Sequence, residues 1–293
     1  MSQLVQAVVA ALAVSVAPAC AQIGNIVVTS AASFQNGMPD RGSLATIFCT
    51  GLAVNGVLNA GQLPLPTALA GVTVTAGGAP APLLAVANLG AYQQINFQVP
   101  QAMVVSPDGT MQVVVSQNGT SGSGTATFVY HSPGAFFQVI SNGRQLGAFQ
   151  HAIDYSLVTT DNPAVAGETI IGYLTGLPPV VPAVPDGQPA PASPLPVEPQ
   201  PDTQARIVQF SVYVGGPFPV YDLANQAASP ISYIGLSPGS VGLYQVNFVL
   251  SQLPFTGLQA VQLVETYCIA ISGDCRQRPL SPEIAPPVLM PVQ

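Results

Sequence analysis

Two histidines, His131 and His151, are the only imidazoles in the chain. His151 stands three residues before Asp154, which is half of a Ser-His-Asp arrangement. The sequence has no G-x-S-x-G elbow to present a serine beside it, and an isolated histidine near a strand end is ordinarily a polar surface group. A zinc site needs three or four ligands at close spacing. Two histidines and four cysteines without a C-x-x-C pair do not supply them. The twelve acids are scattered, mostly beside Gly or Pro, as with Asp40, Asp108, Asp186, Asp202 and Asp274. Such carboxylates form turns rather than the facing pair of a glycosidase. Asp108-Gly109 and Asp161-Asn162 have the oxygen chemistry for calcium, but lack D-x-D-x-D-G spacing. The expectation is therefore no catalytic residue, no metal site and no cofactor, with any ligand-binding residues left unidentified.

Two repeated strings combine aromatic rings with amides: Tyr92-Gln-Gln-Ile-Asn-Phe97 and Tyr244-Gln-Val-Asn-Phe248. Tyr, Phe, Gln and Asn suit sugar stacking, but their recurrence favours a structural role. In that role Ile95, Phe97, Val246 and Phe248 fill cores, while Asn96 and Asn247 bond local backbone. Asn118-Gly119-Thr120 is a formal glycosylation sequon.

The elements that must hold these residues are strands. Charged residues make up 6% of the chain, against about 25% in an ordinary soluble domain. There is no lysine, and the cations are Arg41, Arg144, Arg206, Arg276 and Arg278. Amphipathic helices need charge on their wet face, whereas Thr, Val, Gly, Pro, Ser, Asn and Gln suit strands and turns. An all-β class follows. Hydrophobic residues at 48% and a mean hydropathy of +0.46 allow a full core. A net charge of −7 and a pI near 4.3 exclude nucleic acid as a partner class, because phosphate binding needs clustered cations.

Residues 4–17, LVQAVVAALAVSVA, form an apolar run of signal-peptide length, followed by Ala19-Cys20-Ala21 in small-x-small order. The expectation is a signal peptide over 1–21, cleaved after Ala21, and an extracellular or cell-surface location with no transmembrane span after cleavage. Acylation at Cys20 is the alternative, although Pro18 fits it poorly. No basic residue precedes the run. Cys268 and Cys275 flank a Ser272-Gly273-Asp274 turn, so a hairpin disulfide is the candidate pairing there in an oxidising compartment. Cys49 reads as a buried free thiol.

Four blocks occur twice, in the same order. GSLATIFCTGL (42–52) matches GETIIGYLTGL (167–177). GVTVTAGGAPAPLLAV (71–86) matches FSVYVGGPFPVYDLA (210–224). The Tyr-Gln-x-Asn-Phe strings match, and Asp108-Gly109 with its following strand matches Thr256-Gly257 with its own. Strand-period alternation and Gly-Gly turns predict short-stranded sandwiches. The predicted organisation is an immunoglobulin-like module over 22–132, a second over 133–278 and a loosely packed Pro-rich tail over 279–293. Residues 178–205 are read as a Pro-rich extended loop of the second module, and 222–231 as an insertion.

Together with SAASF (30–34), QINFQVP (94–100), SPGAF (132–136) and GLYQVNF (242–248), these blocks resemble the uncharacterised secreted domain of acidobacterial, Solibacter-type extracellular proteins. The resemblance spans roughly residues 26–272 and implies paired immunoglobulin- or IPT/TIG-like β-sandwiches outside the cytoplasm, with no activity attached. Cys49 stands where that family usually has a glycine, and the expectation is a domain standing alone after the signal peptide, whereas the family's domain usually follows a larger extracellular region. Three functions remain open on this basis. One is adhesion or binding to a protein or polysaccharide at the cell surface. Another is self-association into a surface layer or filament. The third is service as an accessory module of an extracellular enzyme system.

Overall fold

A computed structural model describes residues 22–129, 134–197, 206–215, 228–251, 256–269, 283–284 and 286–293. The described chain is all-β, with several antiparallel sheets and no helix among the described residues. Accordingly, no helix among them is long and apolar enough to cross a membrane.

The first half contains β1 (Gly24–Ser30), β2 (Leu44–Thr50), β3 (Val57–Asn59), β4 (Ala68–Leu69), β5 (Val72–Ala76) and β6 (Ala79–Pro80). It continues with β7 (Leu83–Asn88), β8 (Gln93–Gln98), β9 (Thr110–Gln117) and β10 (Thr120–Thr127). The second half contains β11 (Ala135–Phe136), β12 (Gln138–Ser141), β13 (Arg144–Gly147), β14 (Phe149–His151), β15 (Thr169–Thr175) and β16 (Arg206–Val214). It ends with β17 (Ile231–Leu236), β18 (Tyr244–Val249), β19 (Gly257–Ile269), β20 (Glu283–Ile284) and β21 (Val288–Val292).

In the first half one sheet runs β1-β2-β8-β7-β3 and the other β10-β9-β5-β4. Strand alternation sends Ile47, Ile95, Phe97, Val74, Val113 and Val115 inward, where they are fully buried in one cluster confined to residues 23–128. In the second half β14 and β11 both flank β15, giving β14-β15-β18-β17, while β16 and β21 flank β19. A separate cluster over residues 136–292 holds Phe136, Phe149, Val246, Phe248, Leu263 and Met290. The two halves thus have independent cores.

The copies agree in register. Ile47 faces Ile95 as Gly172 faces Val246, and Thr46 faces Asn96 as Ile171 faces Asn247. β7 slips between Leu83 and Ala85 against β8, and β17 slips between Ile231 and Tyr233 against β18. The carbonyls of Pro82 and Pro230 both accept at 2.9 Å, from Gln98 N and Val249 N. A bulge kept in both copies is part of the fold rather than a defect.

Two expectations are corrected, and one further element departs from the repeat. The strand that pairs with β18 as β7 pairs with β8 is Ile231–Leu236, whereas residues 217–224, which the string match aligned there, lie outside the described residues. Pro230 and Ile231 are therefore framework, and the added chain lies before them. The tail also does not pack loosely where it is described: Val288–Val292 pairs along β19 and buries Val288, Met290 and Val292. Finally, β12 and β13 form a hairpin with no counterpart in the first half, inserted where β1 has its own irregularity between Gly24 and Val27.

The Pro-rich stretch reads as a loop of the second module, but as far as Val197 it is a strap joining both halves. Val180, Val184 and Ala190 sink into the second core. At its crest Gly187 N donates to Gln98 Oε1 at 2.7 Å, Leu65 N donates to Gly187 O at 2.8 Å, and the Asp186 carboxylate accepts from Gln101 N. Deeper in the seam, Leu44 N donates to Thr175 Oγ1 at 2.7 Å and Gly176 N to Ser43 Oγ at 3.2 Å.

β10 lies against β1. A Cβ at Gly122 would come within 2.1 Å of the Ile23 carbonyl oxygen, and one at Gly124 within 2.9 Å of the Ile26 carbonyl oxygen. Glycine is required at both for this approach, which covers one edge of the sheet.

Candidate binding face

The turn after the first strand of each copy is built the same way. Ser30 N donates to Gln35 O and Phe34 N to Ser30 O; His151 N donates to Ser156 O and Tyr155 N to His151 O. The turns force a left-handed backbone at Phe34, φ 57°, and at Tyr155, φ 60°. Bulky residues rarely adopt that conformation, which Gly or Asn would fill at less cost. Both rings nevertheless point into solvent, 56% and 65% exposed.

Each exposed ring stands beside an outward aromatic of the next strand. On β2 the even positions Thr46, Phe48 and Thr50 face away from the core, and Phe48 lies 6.1 Å from Phe34. Tyr92, 43% exposed, meets Phe48 edge-on at 5.4 Å. In the second copy Tyr173 takes the place of Phe48 and donates its hydroxyl to Gln150 Oε1 at 2.7 Å. Burial, with the neighbouring Tyr155 phenol, raises the Tyr173 pKa.

Beside the rings lie ordered amides. Gln94 Nε2 donates to Asn96 Oδ1 at 2.8 Å, and Gln245 Nε2 to Asn247 Oδ1 at the same distance. Thr46 Oγ1 also donates to Asn96 Oδ1. The expectation that these asparagines bond local backbone is corrected: their side chains pair with the glutamine two positions earlier on the same face. Ile95, Phe97, Val246 and Phe248 are buried, as expected of core residues. The two tyrosines of the strings are not equivalent. Tyr244 is buried with its hydroxyl donating to Pro178 O at 2.8 Å, and the strand register aligns it with Gln93.

The other chemistry-bearing residues are held in local structure. His151 Nδ1 lies 2.8 Å from Glu168 Oε2, and Nε2 lies 3.3 Å from Asn162 O. Both partners are acceptors, so the ring satisfies them fully only as imidazolium. Burial opposes that charge, but the Glu168 and Asn162 hydrogen bonds, with the charges of Glu168 and Asp154, outweigh it and raise the pKa. Asp154 does not orient His151 as a triad acid would: its Oδ1 accepts from Ser156 N and Oγ. Asp108 caps its turn through Thr110, and Asp161 accepts from Asn142 Nδ2 at 2.8 Å. Asp186 lies in a turn, as expected, closed by Gln188 N donating to Pro185 O, and its carboxylate also binds across the seam.

Asp40 is the outlier. Its Oδ2 is sealed from solvent without a hydrogen-bond partner, and burial, opposed by the Arg41 charge, raises its pKa to about 7. Arg41 itself donates to Met103 O and lies over the Phe128 ring. Cys49 is a buried free thiol whose pKa burial pushes up to about 11. The signal segment with Cys20, together with His131, Asp202, Asp274, Cys275 and Asp222 of the predicted insertion, lies outside the described residues. So does the Cys268–Cys275 pairing.

A groove of about 420 Å³ opens where the halves meet, lined by Leu44, Leu63, Leu65, Leu84, Phe137, Ser240, Val241 and Leu243. Among the described residues no group of three or more His, Cys, Asp or Glu side chains is placed to hold a metal ion.

No family model matches the chain, and no curated protein matches it. Among solved structures, an endo-fucoidan hydrolase of glycoside hydrolase family 107 aligns over 94% of this chain and 38% of its own, at 11% identity and a TM-score of 0.19. The chain therefore spans well under half of that structure, and a similarity this slight defines neither fold nor chemistry.

Proposed function

We propose that this is an exported, non-enzymatic binding protein whose two tandem immunoglobulin-like β-sandwiches engage a ligand at the cell surface or in the surrounding matrix. Strand order supports the fold. Lettering seven strands of each copy in sequence places A-B-E-D on one sheet and G-F-C on the other, the immunoglobulin constant-type arrangement. The resemblance to acidobacterial secreted domains supports the location. The observation that carries the binding role is the pair of exposed aromatic rings, Phe34 and Tyr155, each held on an unfavourable backbone at the same point of its copy. Unfavourable conformations that persist where another residue would relax them mark functional positions. A second support is that His151, Asp108, Asp154 and Asp161 are engaged in turn and framework bonds.

The test is a screen of the purified mature chain against arrayed cell-wall fragments, polysaccharides and extracellular proteins. Saturable binding to one class is expected. Failure to bind any class would contradict the reading.

A further inference from the structure

The ligand class is legible in the chemistry of the outer sheet faces. We infer that the A-B-E-D face of each copy is a platform for a neutral polysaccharide, and that the chain carries two of them. This inference rests on the reading of the protein as a binding protein, and narrows it to one occupant.

In the first copy the platform is Phe34, Phe48 and Tyr92, with Gln94 and Asn96 alongside, the Asn96 amide held from beneath by the buried Thr46 hydroxyl. In the second it is Tyr155 and Tyr173, with Gln150, Gln245 and Asn247. These side chains carry no formal charge at neutral pH. A pyranose ring offers polarised C–H groups on its faces and hydroxyls at its rim. The former meet the electron-rich faces of aromatic rings; the latter meet amides and hydroxyls, which both donate and accept.

Charge complementarity argues against other occupants. An acidic polymer would face a chain of net charge −7 with no cation in either platform. A basic peptide would find no carboxylate among the first platform's residues, and beside the second only Asp154, whose Oδ1 already accepts from the Ser156 amide and hydroxyl. Hydrogen bonds within the face hold the amides before any ligand arrives, which lowers the ordering cost of binding. Because both copies lie in one chain, joined by the strap, a long polysaccharide reaching both platforms would bind with avidity.

The test uses the mature chain in affinity gel electrophoresis, with mixed-linkage β-glucan, xylan and glucomannan as neutral probes and polygalacturonate as the acidic one. Variants Phe34→Gly and Tyr155→Gly remove a ring while easing the backbone, so folding and binding are separable. Retardation by at least one neutral polysaccharide is expected. Each single variant should weaken it by about tenfold or more, and the double variant should abolish it, with melting temperatures close to wild type. Three results would overturn the inference: binding to the acidic polymer alone, binding to protein ligands alone, or neutral-glycan binding unchanged in the folded double variant. Binding to protein ligands alone would leave the broader binding role standing, whereas binding to nothing would remove both.

Discussion

Leu44 and Thr175 belong to different halves of the chain, yet the Leu44 amide donates to the Thr175 hydroxyl at 2.7 Å in a seam sealed from solvent. Thr175 opens the second Thr-Gly-Leu motif. Its counterpart Thr50 opens the first, where it bonds Asn25 and Gly24 of its own half. One motif thus serves local structure in one copy and docking in the other.

Thr175→Val keeps the shape and removes the acceptor. It is expected to destabilise the protein by about 1–3 kcal/mol, the cost of a buried unpaired amide. Thr50→Val, at a partly exposed site, should cost within about 0.5 kcal/mol. Urea denaturation of the two variants checks the contrast, and equal losses would show that the seam bond contributes nothing special.

The Val288–Gln293 segment is framework on this account. Removing residues 286–293 strips Val288, Met290 and Val292 from the second core, along with the bonds between Ala164 and both Pro291 and Gln293. Three such side chains contribute about 5 kcal/mol or more, comparable with the stability of a whole domain. Limited proteolysis with mass spectrometry should show the second half of the truncated chain digested while residues 22–129 persist. A truncated chain as resistant as wild type would restore the picture of a loose tail.

Stability should fall as pH rises from about 4 to about 7. Asp40 holds its proton to about pH 7 when folded, against an ordinary value of 3.8. Across this window the folded state therefore binds more protons than the unfolded one, and each step up in pH favours unfolding. His151 acts in the same direction: its raised folded pKa contributes stability that is full below its unfolded value near 6.5 and is lost as pH rises through the folded value. Asp40→Asn should raise stability at pH 8 by about 1–3 kcal/mol and flatten the lower part of the profile. Thermal melts from pH 4 to pH 8 (about four units, spanning both transitions) measure it; a wild-type profile that rises toward pH 8 would refute the assignment.

The strand class and the repeat were readable because both rest on composition and two-residue periodicity, which survive in GSLATIFCTGL and GETIIGYLTGL. The matched turns at SAASF and HAIDY were missed as a repeat. They share backbone geometry and an aromatic, but few side-chain types, and a positive φ at Phe34 or Tyr155 leaves no mark in composition. The second Pro-broken strand was misplaced because Gly215-Gly216-Pro217 mimics the first copy's turn, while the true counterpart of Pro82-Leu83 is Pro230-Ile231, farther along. Proline also misled at the tail. Pro291 lacks an amide hydrogen but still accepts from Ala164 through its carbonyl, the edge-strand use of proline. The seam was out of reach altogether, since Ser43, Thr175 and Asp186 look like ordinary turn residues until the halves are docked.

The central claim is that one fold, used twice, presents two matched aromatic faces to one kind of ligand. Isothermal titration of the mature chain with cellohexaose and xylohexaose, short enough to occupy one platform, tests it most directly. The account predicts two sites per chain with one of these sugars, one remaining site in Phe34→Gly or Tyr155→Gly, and none in the double variant. Binding heats and stoichiometry unchanged by both substitutions, or no binding heat with either sugar from a chain that no neutral polysaccharide retards, would contradict it.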